Sequence, residues 1–112
     1  MELTEAQRDD FNNRATEALE LLAQDPAGYF ERANITGVQS NRDDPIVRAL
    51  TQSVPPPEGF RWLSNKDHVR LQFTAERDSQ LIVFTPDPLR EFQEKFDRGL
   101  YPHLVDGEVY RA

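Results

Sequence analysis

The two histidines are the residues of this chain best suited to transfer protons near neutral pH. His68 follows Asp67, and Asp106 comes three residues after His103. A histidine beside a carboxylate is a common pair for general acid–base catalysis. We therefore keep as an alternative function a small enzyme or small-molecule binder that uses His68 or His103 in a pocket between the helices and the sheet.

Other catalytic and cofactor signals are absent from the sequence. There is no cysteine, no glycine-rich loop that could cradle a phosphate, and no nucleophile elbow. A metal ion needs three or four converging ligands, which two separated histidines do not supply. We predict no catalytic residue, no metal and no cofactor.

Acidic residues form a second group with a regular spacing near the N-terminus. At about 100° per residue in an α-helix, they collect on the side opposite an apolar stripe. Such a face attracts a basic partner electrostatically, although an ordinary solvated helix shows the same pattern. The acidic residues that we predict as partner contacts are Glu5, Asp9, Glu17 and Glu20.

The longest uninterrupted apolar run is a candidate for strand pairing. Successive side chains of a strand point to opposite faces, so an apolar run makes both faces apolar. The run contains no charged residue that would discourage pairing. If it forms an edge strand, it pairs readily with another chain unless other parts of its own chain cover it. The residues that we predict as partner contacts are Leu81, Ile82, Val83 and Phe84. A homodimer through strand 81–84 is a further expectation.

Aromatic residues and arginines are interleaved elsewhere, notably Phe60, Arg61, Trp62, Arg70 and Tyr101. These residue types dominate the energetics of many interfaces. Trp62 shares a strand face with Phe60, which favours a core position. Binding of single-stranded nucleic acid needs aromatic platforms in a basic groove. Because the arginines here are few and lie among acids, that function is the least favoured.

The overall composition argues against some classes of binding partner. The chain has 112 residues, 20 of them acidic and 13 basic, for a net charge of −7. Nucleic acids and anionic membranes are bound mainly through Lys and Arg, so we expect neither as a partner. Met1–Glu5 shows no basic or apolar leader, which together with the missing cysteines predicts a cytoplasmic protein. Eleven arginines against two lysines are typical of a GC-rich bacterial or phage genome.

Three helices are predicted in the first half of the chain. Each begins where a side chain can accept hydrogen bonds from the backbone N–H groups of the first turn. Thr4 does so with Gln7 in a capping box, and Asp25 and Asp44 each precede a proline at the first helical position. Three consecutive prolines from Pro55 end the third helix, because a residue before proline avoids the α region.

Strands are predicted after these prolines, where the apolar period changes to two. Val69, Leu71 and Phe73 alternate with polar residues, the clearest strand signal in the chain. The apolar runs around 60–62 and 81–84 lie on either side of it and are joined to it by short polar loops. An antiparallel meander of three strands follows.

A last helix is predicted from Asp87 to a stop at Gly99. Segment 104–109 fits either a small hairpin around an Asp-Gly turn or a frayed tail. The expected fold is a single α+β domain over 1–112. It has three N-terminal helices, a three-stranded antiparallel meander and a C-terminal helix packed on one sheet face.

Three features together predict the function. They are the acidic helix face, the apolar strand without charged residues and the absence of catalytic motifs from the sequence. We expect a small, acidic, non-catalytic protein-binding module that acts by occluding a surface of its partner. An inhibitor, an immunity-type protein and an accessory protein all work in this way. The expected partner is another protein with a basic surface.

Overall fold

The computed structural model describes residues 2–106. The helices are α1 (Glu5–Ala23), α2 (Pro26–Ala33), α3 (Pro45–Ser53) and α4 (Asp87–Asp97), and the strands are β1 (Phe60–Ser64), β2 (His68–Phe73) and β3 (Asp78–Phe84). A 3₁₀ turn follows at Pro102–Leu104. The predicted α+β architecture, with three helices before an antiparallel meander and one after it, is confirmed. Within residues 2–106, none of the helices has the length and hydrophobicity needed to cross a bilayer.

The local sequence explains where the helices begin. Thr4 Oγ1 accepts from the Gln7 backbone N–H at 3.1 Å, and Gln7 Oε1 accepts from the Thr4 N–H at 2.9 Å, which completes the predicted capping box. Asp44 caps α3 by accepting a first-turn N–H at 2.8 Å. The predicted cap at Asp25 is wrong, because its side chain makes no hydrogen bond to the start of α2. Its carboxylate contacts Arg32 Nη1 at 3.2 Å instead, and a charged guanidinium competes well against neutral N–H groups.

The sheet has the order β1-β2-β3, and its inner face meets the helices. Trp62 lies opposite Leu71, which in turn lies opposite Leu81. Trp62 is 1% exposed, and its indole Nε1 donates to the Val54 carbonyl at 2.9 Å. A β-bulge after Leu71 leaves Gln80 as an extra residue in β3. The inward side chains of all three strands belong to one core cluster with side chains of α1, α2, α3 and α4.

The chain after β3 returns to the helices. α4 packs against α1 and α2, and Gly99, with φ of 80°, provides the predicted stop just after it. Val105 then pairs in parallel with Gly37 through an isolated bridge. The segment up to Asp106 therefore joins the loop before α3. The rest of the predicted hairpin lies outside the described residues.

Candidate functional site

The side chains of the meander that point away from the helices form a surface that we call the outer sheet face. Directly opposite residues on neighbouring strands have Cβ atoms about 5 Å apart, so they form rows across the sheet. The middle row contains Leu63, Arg70 and Ile82. His68 and Phe84 form the row on one side of it. The outer sheet face consists of Arg61, Leu63, His68, Arg70, Gln72, Ser79, Ile82 and Phe84.

Two large apolar side chains of the outer sheet face are open to solvent. Phe84 is 75% exposed and Ile82 is 50% exposed. The His68 ring stands edge-on to the Phe84 ring, with the centroids 6.5 Å apart. Leu63 is buried, yet it does not belong to the core cluster that joins the helices to the sheet. Within residues 2–106, Ile82 and Phe84 are therefore the apolar side chains of this surface that stay in contact with water.

Two arginines of the outer sheet face lack a carboxylate partner among residues 2–106. Arg61 Nη2 donates to Gln72 Oε1 at 3.4 Å, and Arg70 Nη1 donates to Ser79 Oγ at 3.3 Å. Both distances are long for hydrogen bonds, and the Nε atom of each arginine is buried without a partner. A guanidinium carries five N–H donors, so most donors of both groups remain available.

The pleat of β3 divides the predicted partner strand between the two faces of the sheet. Leu81 and Val83 face the helices, and Val83 is 5% exposed. Ile82 and Phe84 lie on the outer sheet face. β3 is the last strand of the sheet, and no strand within residues 2–106 pairs with its outer edge. The predicted role of these four residues in partner binding stays a prediction.

The predicted acidic residues lie where helical periodicity places them. Each of them is exposed on α1, and none makes an ion pair within the described part of the chain. Leu21, which is 54% exposed, is the large apolar side chain that α1 leaves open to solvent. The acidic face therefore carries charge with one apolar contact point, and its role also stays a prediction. Its residues are Glu5, Asp9, Glu17 and Glu20.

The structure gives the two histidines different surroundings. His68 Nδ1 lies 2.7 Å from Asp67 Oδ1, and this hydrogen bond lowers the pKa of the Asp67 carboxyl. His103 Nε2 lies 2.7 Å from Glu31 Oε2, a residue 72 positions away, whereas Asp106 contacts Arg48. Among the described residues, no three His, Asp or Glu side chains converge as a metal site requires.

A polar groove, which sequence reasoning missed, lies between α4 and the loops at the end of β1. Two adjoining cavities of about 600 and 330 Å³ share Lys66, Gln93 and Asp97 in their walls. Gln93 is 8% exposed, and its Nε2 donates to the Asp97 carboxylate at 3.2 Å. Gln93 Oε1 is buried without a hydrogen-bond partner. Neither histidine lines the two cavities.

Asp44 lies behind this groove and is fully buried. Its carboxylate accepts hydrogen bonds from the Val47 N–H and from Ser64 Oγ of β1. The pKa of Asp44 is raised to about 6, chiefly by burial and to a smaller extent by the nearby Asp97 charge, although the hydrogen bonds from Ser64 and Val47 lower it. The Asp44-Pro45 motif identified this residue as a helix cap. Its burial against β1 depends on a contact across 20 positions, for which the local sequence has no signal.

Comparison of this chain with protein-family models, with curated proteins and with solved structures finds no match. The chemistry of the site must therefore be derived from its own residues. The outer sheet face offers exposed apolar side chains, guanidinium donors and one imidazole. These groups are suited to holding a partner in place.

Proposed function

We propose that this protein is a small, acidic, non-catalytic protein-binding module that acts by covering a surface of its partner. The observation that carries the proposal is the exposure of Phe84 beside Ile82 on the outer sheet face. Contiguous exposed apolar side chains mark interaction surfaces, and aromatic residues supply much of the binding energy there. A cytoplasmic location, consistent with the absence of cysteine, is part of the proposal.

The setting of Phe84 and Ile82 favours binding because the strand backbone is already ordered. β3 pairs with β2 from Asp78 to Phe84, so little backbone entropy remains to be lost when a partner docks. A partner lying across the outer sheet face would cover both side chains. A partner strand added at the edge of β3 would extend the sheet. Inhibitors, immunity-type proteins and accessory proteins all act by such occlusion.

The second element of the proposal concerns the acidic face of α1. We propose that this face attracts a partner protein that has a basic surface. The whole chain carries a net charge of −7, and the acids of this face have no intramolecular ion pairs in the described part of the chain. Exposed charges of this kind act mainly on the association rate. We propose this steering role for Glu5, Asp9, Glu17 and Glu20.

Site-specific photo-crosslinking in cells tests the proposal. A photoreactive phenylalanine analogue is introduced at position 84 and, as a matched control, at Leu100, which is 55% exposed and lies on neither the outer sheet face nor α1. We expect one defined protein adduct from position 84 that is weak or absent from position 100, followed by a stoichiometric complex of the purified pair. Absence of any adduct at position 84, with a monomeric protein, would contradict the proposal.

A second candidate function, small-molecule binding, is favoured by the polar groove. Ligand sites commonly have volumes of about 300–1,000 Å³, and residues with perturbed pKa values cluster near them. The groove has such a volume, and Asp44, whose pKa is raised to about 6, contacts Ser64 in its wall. Amide chemical shifts of labelled protein can be followed during a screen of metabolites. Shifts confined to residues 64–66 and 93–97, and lost in Asp97→Asn, would support this function. Shifts confined to His103 and Glu31 would favour a histidine site.

A further inference from the structure

Arg70 occupies the centre of the outer sheet face. It lies opposite Leu63 on β1 and Ile82 on β3, while His68 and Gln72 flank it on the same side of β2. Apolar side chains therefore adjoin this arginine on both neighbouring strands. A partner that covers the patch will remove water from around the guanidinium.

The charge on Arg70 and Arg61 is not neutralised by a carboxylate within residues 2–106. Each makes one long hydrogen bond to a neutral side-chain oxygen. The chain has 20 acidic residues, and five other arginines do contact one of them. Those arginines are Arg14, Arg32, Arg48, Arg90 and Arg98. Arg8, Arg42 and Arg77 also make no ion pair with a carboxylate among residues 2–106. Arg61 and Arg70 differ from them in lying on the outer sheet face, beside its exposed apolar side chains.

We propose that the outer sheet face binds an acidic segment of a partner protein, with an Asp or Glu carboxylate against Arg70 and an apolar side chain against Ile82 and Phe84. This role of Arg70 rests on the proposed protein-binding function and adds the chemistry of the partner. A guanidinium and a carboxylate form two parallel N–H···O bonds, which strengthen as the surrounding apolar groups exclude water. A partner without an anion at this point would bury the guanidinium unpaired, so Arg70 also rejects wrong partners.

Charge complementarity favours this occupant over two others. A nucleic acid presents a continuous row of phosphates, which a chain of net charge −7 repels over most of its surface. A second copy docked face to face through a two-fold axis would bring identical arginines together in a covered patch. Like charges placed together in this way oppose binding. A short acidic segment brings only one or two negative charges, which lie against Arg70, so the net charge repels it less than a row of phosphates, and it brings no second arginine.

The test uses the purified full-length protein and a displayed library of random 12-residue peptides. We expect the selected peptides to be enriched in Asp or Glu next to an apolar residue. Fluorescence anisotropy then measures their affinity for the native protein and for Arg70→Gln, Arg70→Lys and Phe84→Ser. The matched control is Arg32→Gln, which removes the same charge from an arginine exposed on α2.

Arg70→Gln should weaken binding about 10- to 100-fold, because a covered charge pair loses one partner. Arg70→Lys should retain part of the affinity, since a lysine keeps the charge and loses the two-bond geometry. Arg32→Gln should stay within about twofold of the native protein. Replacing the Asp or Glu of the peptide by its amide should weaken binding to the native protein by a similar factor. The same replacement should change the affinity for Arg70→Gln little, because the two groups interact with each other in a double-mutant cycle. Thermal unfolding of each variant confirms that it is folded.

Each contrary outcome points to a different error. If the selected peptides are rich in Lys and Arg, or if Arg70→Gln binds the acidic peptides unchanged, the proposal of an acidic partner is overturned. Binding that still depends on Phe84 would in that case uphold the proposed function. Two further outcomes are self-association and binding of a 12-nucleotide single strand. If Arg70→Gln abolishes either interaction, the outer sheet face belongs to that occupant and the acidic segment is overturned. If no selected peptide depends on Phe84, both the proposed function and the role of Arg70 are overturned.

Discussion

The inner and outer faces of the sheet are built from the same three strands, yet they differ in what covers them. Trp62 and Leu71 on the inner face are at most 1% exposed and belong to the core cluster. Ile82 and Phe84 on the outer face are 50% and 75% exposed and stand near an arginine with no carboxylate partner in the described chain. Burial of apolar surface stabilises the fold only where a neighbour excludes water. The inner face therefore stabilises the domain, and the outer face leaves the side chains of Ile82 and Phe84 open to solvent.

The largest effect is expected from shortening a side chain of the inner face. Leu71→Ala should lower the free energy of unfolding by about 3 kcal/mol, because it removes buried methyl groups and leaves a cavity. The matched control is Ile82→Ala, which removes a β-branched side chain from the neighbouring strand on the opposite face and should cost less than about 1 kcal/mol. Urea unfolding measures both values. Equal costs would mean that the outer face is packed as tightly as the inner one.

A pH effect of up to about 3 kcal/mol is expected from Asp44, which joins α3 to Ser64 on the inner side of the sheet. Its pKa is about 6 in the folded protein and 3.8 ordinarily, so the folded state holds the proton more tightly. The stabilisation is complete below the ordinary pKa and is lost as the pH rises to about 6.

Asp44→Asn should remove this pH dependence and raise stability near pH 7. Asparagine also serves as a helix cap, so the start of α3 is retained. Urea unfolding between pH 4 and 7 measures the slope, with the exposed Glu58→Gln as the control. Identical slopes in the native protein and in Asp44→Asn would show that Asp44 ionises normally.

Partner affinity should separate the outer sheet face from the other exposed apolar positions. Phe84→Ser should weaken binding of the crosslinked partner by roughly thirtyfold, as expected for an aromatic anchor. Leu100→Ser, at an exposed apolar position outside both proposed surfaces, should change the affinity less than about twofold. Neither substitution should alter the free energy of unfolding by more than about 0.5 kcal/mol. Calorimetric titration gives the affinities, and a larger effect at Leu100 would move the contact surface to the end of α4.

The smallest effect is expected from the acidic face of α1. Reversing Glu17 and Glu20 to Lys should slow association with the partner by roughly fivefold at low salt and leave dissociation nearly unchanged. The difference should vanish at high salt, where exposed charges are screened. Reversing Glu58 and Glu91, two exposed acids outside α1 and β3, changes the net charge equally and serves as the control. Equal slowing by both pairs would show that net charge acts, without a specific face.

Elements whose signals are local could be predicted from the sequence. The capping box at Thr4 and the alternation of Val69 with Leu71 depend on backbone geometry within a few residues, and the structure places a helix and a strand at those positions. The contact that the Asp25 carboxylate makes could not be predicted. It can accept hydrogen bonds from the first-turn N–H groups of α2 or from Arg32, and only the folded geometry decides between these partners. His103 likewise contacts Glu31 rather than the acid nearest in sequence.

The sequence by itself determined the period of each segment, and therefore the α+β class, the order of the elements and the alternation of Leu81 and Val83 with Ile82 and Phe84. Only the tertiary structure decided which side of that alternation the helices cover, and it placed Arg70 between Leu63 and Ile82. It also buried Asp44 against Ser64. The reason is physical: periodicity is a property of neighbours along the chain, whereas burial, pKa and charge pairing depend on groups that meet only after the chain has folded.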